Sequence, residues 1–196
     1  MEQSKPTSFS IRHHSAVRQT LQRWWQSMVL SKDELKKMDG YPAPSGAKAR
    51  LKRCDSVDSA MMTEGFRLLW MALPEALTEQ AKPQDIECWA TIAAALVYIP
   101  AEYKTLFARA AGKKGDNDKS AVSEMRFAQL QAAKTPDEFL RRLRRILQQV
   151  KGQVSSLALA QDIEQWFFEH HSMRPNKADK RIAVQWAMDY YRAAGH

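Results

Sequence analysis

One segment in the second half of the sequence constrains the fold more than any other, because its pattern is that of an amphipathic helix. Apolar residues recur at the spacing of one helix face, and four arginines lie between them. Residues 135–138, Thr-Pro-Asp-Glu, form a typical helix start: threonine as N-cap, proline in the first position and glutamate completing a capping box. The segment must therefore pack one apolar face against other elements. That face comprises Phe139, Leu143, Ile146, Leu147 and Val150.

The four arginines of this helix, Arg141, Arg142, Arg144 and Arg145, are expected to point away from the packed face. Glu138 is the one acid close enough along the helix to offset them. Arginine is always charged and offers a fixed fork of donors, so a dense guanidinium face is suited to a phosphate backbone. A solvated surface face explains this one run equally well.

Charge is unevenly distributed along the 196 residues, whose net charge is +8. Residues 1–54 carry +7, residues 55–100 carry −5, residues 101–151 carry +6, and residues 152–196 are neutral. Two basic segments that converge on one anionic partner, with an acidic segment facing elsewhere, would explain this order. A membrane surface is a weaker candidate, because no basic helix also carries a broad aromatic face.

The remaining composition favours a folded all-α protein. The hydrophobic content is 44%, and no run alternates with period two. Cys54 and Cys88 have neither metal-binding nor disulfide spacing and are expected in the core. With no secretory signal and no run of transmembrane length, the chain is expected in the cytoplasm.

Start and stop signals predict a succession of helices. Ser15 is expected to cap the first, Pro83 lies in the first turn of a strongly apolar one, and residues 101–111 are expected to continue helically to Gly112. The other predicted helices span 32–38, 47–54, 56–61, 63–72, 120–133, 135–151, 155–170 and about 176–193.

The predicted organisation is a compact multi-helix bundle, with two packed helical lobes as one arrangement. Residues 1–14 form a polar extension, 15–111 the first lobe, 112–120 a basic loop or linker, and 121–196 the second lobe. The loop carries Lys113, Lys114 and Lys119, and an anion-contacting loop and a flexible spacer are both open interpretations.

A second basic element is the short helix at 47–54. Leu51 and Cys54 can pack, whereas Lys48, Lys52 and Arg53 lie on other faces. It could be a solvated helix, but two such helices in one small protein favour contact with phosphates. Since nothing resembles a base-reading helix-turn-helix, the expected binding is to the backbone and independent of sequence.

Catalytic and metal-binding patterns are weak throughout. Adjacent histidines at 13–14 and 170–171 point about 100° apart on a helix, and Asp55 with Asp58 is typical of a helix start. No catalytic motif is found, so neither an enzyme nor a metal or other cofactor is predicted. Most tryptophans fall on apolar stripes and are expected in the core, while Trp25 and Tyr191 stay open.

Several short motifs occur in an order typical of a known family. They are Arg23-Trp24-Trp25, Leu51-Lys52-Arg53-Cys54, Ala108-Arg109-Ala110, Val-Ser-Glu-Met-Arg-Phe at 122–127, the arginine helix, and Leu-Ala-Leu-Ala-Gln-Asp at 157–162 with Trp166. Over roughly residues 15–192 the chain resembles the CasB small subunit of the type I-E CRISPR effector Cascade.

This resemblance implies a non-catalytic, all-helical subunit present as two copies in Cascade. Its implied partners are the other Cascade subunits, the guide RNA, the target DNA and the displaced DNA strand, whose binding stabilises the R-loop. Arg142 and Arg145 are preferred within the arginine cluster because they share a face at i, i+3. The implied nucleic-acid-binding residues are Lys52, where the family commonly has arginine, Arg53, Arg109, Arg126, Arg141, Arg142, Arg144 and Arg145.

Two other classes of function remain open from the sequence. An independent helical DNA- or RNA-binding regulator would bind tightly alone and with sequence preference. A helical scaffold for acidic proteins would show no salt-sensitive association with nucleic acid.

Overall fold

The computed structural model describes residues 11–172 and 177–195, and within them the chain is all-α as predicted. These residues form twelve α-helices, one 3-10 turn at Ala178–Lys180 and a single isolated β-bridge between Lys114 and Ser120. No helix in this part of the chain is both long and apolar enough to cross a bilayer. The helices are α1 (Ser15–Val29), α2 (Lys32–Lys36), α3 (Ala47–Arg53), α4 (Val57–Met61), α5 (Glu64–Ala72), α6 (Glu75–Thr78), α7 (Pro83–Leu96), α8 (Phe107–Gly112), α9 (Glu124–Gln131), α10 (Pro136–Gln149), α11 (Ser156–His171) and α12 (Ile182–Ala194).

The centre of the fold is α7, which is buried on all sides over its second half. Its residues from Cys88 to Leu96 are buried, and five of these nine are alanine or threonine. Small side chains let neighbouring helices approach closely, and α4, α5, α10 and α11 all pack against α7. A helix that is apolar all round is expected in the middle of a bundle, and α7 is found there.

The C-terminal part of the fold is built on the contact between α8 and α12. A Cβ at Gly112 would overlap the backbone carbonyl of Tyr190, so the close approach of the two helices requires glycine. Phe107 and Phe127 pack against Trp186, with ring centroids 5.1 and 6.2 Å from it. The Tyr190 hydroxyl donates to the Val122 carbonyl at 2.6 Å.

Most predicted helix starts are confirmed, with two differences at the caps. Thr135 accepts from the Glu138 N–H at 3.2 Å with Pro136 in the first position, but the Glu138 carboxylate accepts from Lys134 rather than completing the box. The prediction for Ser15 is wrong: it is the first helical residue, and the N-cap is His14, whose side chain does not cap the helix.

The predicted helix over 101–106 is also wrong, because this segment makes contacts that an intact helix would forbid. The Thr105 carbonyl accepts from the Ser155 N–H at 2.9 Å. The Glu102 carboxylate accepts from the N–H of Ser156 at 3.1 Å and from its hydroxyl. Residues 101–106 therefore supply partners to the exposed N–H groups at the start of α11, and helix α8 begins only at Phe107.

The basic loop 112–120 forms a closed turn. The Ala121 N–H donates to the Lys113 carbonyl at 2.9 Å and the Gly115 N–H to the Lys119 carbonyl at 3.0 Å. Lys114 pairs with Asp118 at 3.0 Å. The lysines at 113 and 119 are exposed on this turn.

Two predictions reach beyond the described residues. Of the predicted polar extension 1–14, residues 1–10 lie outside them, whereas Ile11 is buried and its N–H donates to both carboxylate oxygens of Glu164 at 3.1 and 3.0 Å. Residue 176, the predicted start of the last helix, also lies outside, and α12 begins at Ile182.

Candidate nucleic-acid interface

Helix α10 exposes two of its four arginines. Phe139, Leu143 and Leu147 are buried on its inner face, as the periodicity predicts. Arg141 and Arg145, at i and i+4, are exposed on the opposite side, and among the described residues neither has a carboxylate within 4 Å. Their guanidinium groups are thus available to an external anion.

Arg142 is held inside the protein's own network. Its Nη2 lies 2.5 Å from Glu138 Oε1, its Nη1 donates to the Gln129 carbonyl at the end of α9, and its side chain is only 26% exposed. The Lys134 N–H first, and then the guanidinium of Arg142, lower the pKa of the Glu138 carboxyl. Arg142 therefore connects α9 to α10 and is less available than Arg141 or Arg145.

Arg144 is buried, so the expectation that all four arginines face solvent is wrong at this position. Its Nε donates to the Ala94 carbonyl at 3.1 Å, its Nη2 to the Leu51 carbonyl at 2.7 Å, and its Nη1 to the Cys54 carbonyl. These carbonyls lie at the C-terminal ends of α7 and α3, where helices leave carbonyls without intrahelical partners. One guanidinium therefore donates hydrogen bonds to carbonyls at the ends of two helices. Burial lowers the pKa of this guanidinium.

Tyr98, just after α7, lies between two of the predicted site residues. Lys52 Nζ is 5.1 Å from the ring centroid and Arg144 Cζ is 5.4 Å from it, both within cation–π range. The Tyr98 hydroxyl also donates to the Lys52 carbonyl at 3.0 Å. Tyr98 therefore fixes the end of α3 beside α10, a role that sequence analysis missed although Tyr98 carries a phenolic hydroxyl at the end of the apolar run 89–99.

The exposed cations of these two helices that have no carboxylate within 4 Å among the described residues are here called the α3–α10 surface; they are Lys52, Arg53, Arg141 and Arg145, whereas the exposed Arg50 of α3 is paired with Glu64. Arg53 uses its Nε to bond the Ala49 carbonyl of its own helix at 3.3 Å, which leaves the rest of its guanidinium exposed. Sequence analysis does not bring these residues together, because about 90 residues separate the α3 part of the surface from the α10 part.

The remaining two predicted residues lie on α8 and α9. Arg126 is exposed in the first turn of α9, at i−3 from Gln129, whose carbonyl contacts Arg142. Arg109 Nε is 3.0 Å from Asp189 on α12, and the same carboxylate oxygen lies 3.6 Å from Arg192. Arg126 is thus on the helix whose Gln129 carbonyl accepts from Arg142, whereas the charge of Arg109 is partly offset by Asp189.

The structure also places the other residues that the sequence analysis considered, namely the tryptophans, Tyr191, the cysteines and possible metal ligands. Trp24, Trp89, Trp166 and Trp186 are buried as predicted, Trp25 is buried too, and Tyr191 is exposed. Cys88 is buried and Cys54 is half-buried. Among residues 11–172 and 177–195, no three His, Cys, Asp or Glu side chains are arranged to hold a metal ion.

Comparison with known proteins yields one family and one fold relative. The family described as CRISPR-associated protein Cse2 matches residues 47–191. No curated protein sequence matches the chain. The crystal structure of CasB from Thermus thermophilus superposes with a TM-score of 0.57 at 20% sequence identity, covering 92% of this chain and 100% of that one. At this identity the structural likeness shows a shared fold.

Proposed function

Because the chain belongs to the Cse2 family of CRISPR-associated proteins and is thus a subunit of a CRISPR Cascade complex, we propose that it binds nucleic acid in that complex through its α3–α10 surface. The contacts are to phosphates and independent of sequence. Their role is to stabilise the R-loop by holding the guide RNA–target DNA region and the displaced DNA strand. The subunit acts without catalysis of its own, together with a second copy and the other Cascade subunits.

The observation that supports this proposal is that some cations of α3 and α10 are bonded within the protein, whereas others are exposed without a carboxylate nearby among the described residues. Arg142 and Arg144 are engaged by Glu138 and by backbone carbonyls. Arg141 and Arg145 have no carboxylate within 4 Å among the described residues, and the same holds for Lys52 and Arg53. Unpaired cations on two adjoining helices repel one another, and a phosphate backbone removes that repulsion.

The energetics of the R-loop fit such a surface. The RNA–DNA duplex that forms is about as stable as the DNA duplex that it replaces, so modest protein contacts can shift the balance. Phosphate contacts supply this stabilisation for any target sequence, because they do not read bases. The acidic segment 55–100 lies in other helices, α4 to α7, and we propose that it faces protein partners.

The experiment is a salt titration of binding to a labelled single strand, with wild type compared with the triple variant Arg53→Ala, Arg141→Ala and Arg145→Ala. Each lost phosphate contact should lower the slope of log K against log salt by about 0.7, so the triple variant should lose about 2. A variant with Lys37→Ala, Arg67→Ala and Lys82→Ala has the same net charge and exposed substitutions elsewhere, and should keep the wild-type slope.

The same pair of variants is then compared in reconstituted Cascade, with R-loop lifetime as the readout. If both variants lose equal slope and equal lifetime, net charge rather than the α3–α10 surface carries binding, and the proposal is wrong. A preference for one DNA sequence by the isolated chain would instead favour an independent regulator.

A further inference from the structure

An open groove of about 380 Å³ lies beside the α3–α10 surface. It runs between the end of α1, the proline-rich loop 42–46 and helix α3. Its volume is within the range of about 300–1,000 Å³ that is common for small-molecule sites. Met28, Leu30, Pro42 and Pro44 provide apolar walls, and Lys48 and Lys52 are its two charged lining residues, both cations.

The walls of this groove are held in place by the protein itself. The Ala43 N–H donates to the Ser27 carbonyl at 2.9 Å, which fastens the loop to α1. On the other side, Arg50 Nη2 donates to the Ser45 carbonyl at 3.2 Å and pairs with Glu64 at 3.3 Å. With two prolines in the loop, little ordering is needed when a ligand enters.

Among the described residues, the two lysines of the groove have no anionic partner. Lys48 and Lys52 are at i and i+4, and no carboxylate of the described residues lies within 4 Å of either ammonium. Lys48 is half-buried, and burial first, then the charge of Lys52, lower its pKa. Like charges at this spacing destabilise a helix, so a bound anion would relieve the repulsion between them.

We propose that this groove binds one nucleotide of a single-stranded nucleic acid, with its phosphate on Lys48 and Lys52 and its base against the proline and methionine walls. The carboxylates of an acidic peptide would pair with the lysines but would not contact the apolar walls. A bare phosphate would leave most of the volume of the groove empty. Lys52 also belongs to the α3–α10 surface, so a strand on that surface can place one nucleotide in the groove. The role of this nucleotide within a longer strand rests on the proposed function, but the site itself can be tested without it.

The test is a titration of the full-length protein with thymidine monophosphate, followed by backbone amide chemical shifts. In wild type, shifts should concentrate in residues 42–52 and at the end of α1. Lys48→Met keeps the aliphatic stem but removes the charge, and should weaken affinity about ten-fold because a charge-assisted bond to phosphate is lost. Lys82→Met, an exposed lysine on the acidic part of the chain, is the matched control and should bind like wild type.

Inorganic phosphate and thymidine serve as partial ligands in the same titration. If inorganic phosphate alone gives the wild-type shifts and affinity, the groove holds an anion and no base, and the inference is wrong. It is also wrong if thymidine monophosphate shifts amides outside the groove or none at all. If the groove binds the nucleotide but the α3–α10 triple variant keeps the wild-type salt slope, the groove is retained and the proposed function is wrong. If the groove does not bind the nucleotide but the triple variant loses slope as expected, only the groove inference is wrong.

Discussion

Neighbouring arginines of α10 have different surroundings because the position around the helix, and not the residue type, decides what a guanidinium contacts. Arg144 lies at the margin of the buried face, where carbonyls in the last turns of α3 and α7 accept from its guanidinium. Arg145 is about 100° further round the helix and is exposed. The buried residue is thus part of the fold, and the exposed one is a candidate for binding.

This contrast predicts different outcomes for two identical substitutions. Arg144→Ala should lower the free energy of unfolding by about 3 kcal/mol, since two buried carbonyls and one part-buried carbonyl lose a charged donor. Arg145→Ala should change stability by less than about 0.5 kcal/mol and weaken single-strand binding. Urea denaturation and strand titration of both variants provide the measurements. A stable Arg144→Ala protein with impaired binding would show instead that Arg144 contacts the ligand.

At the scale of elements, the turn between α10 and α11 controls how the arginine helix sits on α7. Gly152 has a φ of +63°, and a Cβ there would overlap the Tyr98 carbonyl oxygen. This close approach places the end of α10 beside the residue whose ring contacts Lys52 and Arg144. The geometry of the α3–α10 surface therefore depends on a glycine outside it.

Gly152→Ala should destabilise the protein by more than about 2 kcal/mol, because both the backbone conformation and the contact with Tyr98 oppose a side chain. Gly115→Ala, in the exposed 112–120 turn, where a Cβ would make only ordinary van der Waals contacts and φ is not positive, should be within about 0.5 kcal/mol of wild type. Thermal unfolding compares the two. Equal melting temperatures for the two variants would mean that the turn at Gly152 relaxes without cost.

The elements show what could be predicted from the sequence. Helix α10 and its cap at Thr135 are encoded locally, so their signals were sufficient. Residues 101–106 were mispredicted because the Thr105 carbonyl accepts from Ser155 and the Glu102 carboxylate from Ser156, about fifty residues away. The site divides in the same way: the cations were identified from sequence, but which of them are free depends on distant carbonyls and could be seen only in three dimensions.

At the scale of the molecule, the buried apolar residues form one continuous cluster from α1 to α12. Helix α7, from the first predicted lobe, packs directly against α10 and α11 of the second, and α8 packs against α12. A core shared in this way couples the two basic halves of the α3–α10 surface. A surface assembled from both halves can hold a strand only while the halves stay together.

This coupling predicts that residues 15–111 and 121–196 unfold as one cooperative unit. Slowly exchanging amides in α5, such as that of Leu69, and in α12, such as that of Trp186, should report the same free energy of opening in native-state hydrogen exchange, because both side chains belong to the shared cluster. Gly152→Ala should lower both values by the same amount, and Gly115→Ala should lower neither. If α12 opened at markedly lower free energy than α5, or if Gly152→Ala affected only one of them, the two halves would be independent lobes joined by the 112–120 loop. The α3–α10 surface would then need a bound strand or a neighbouring subunit to keep its halves together.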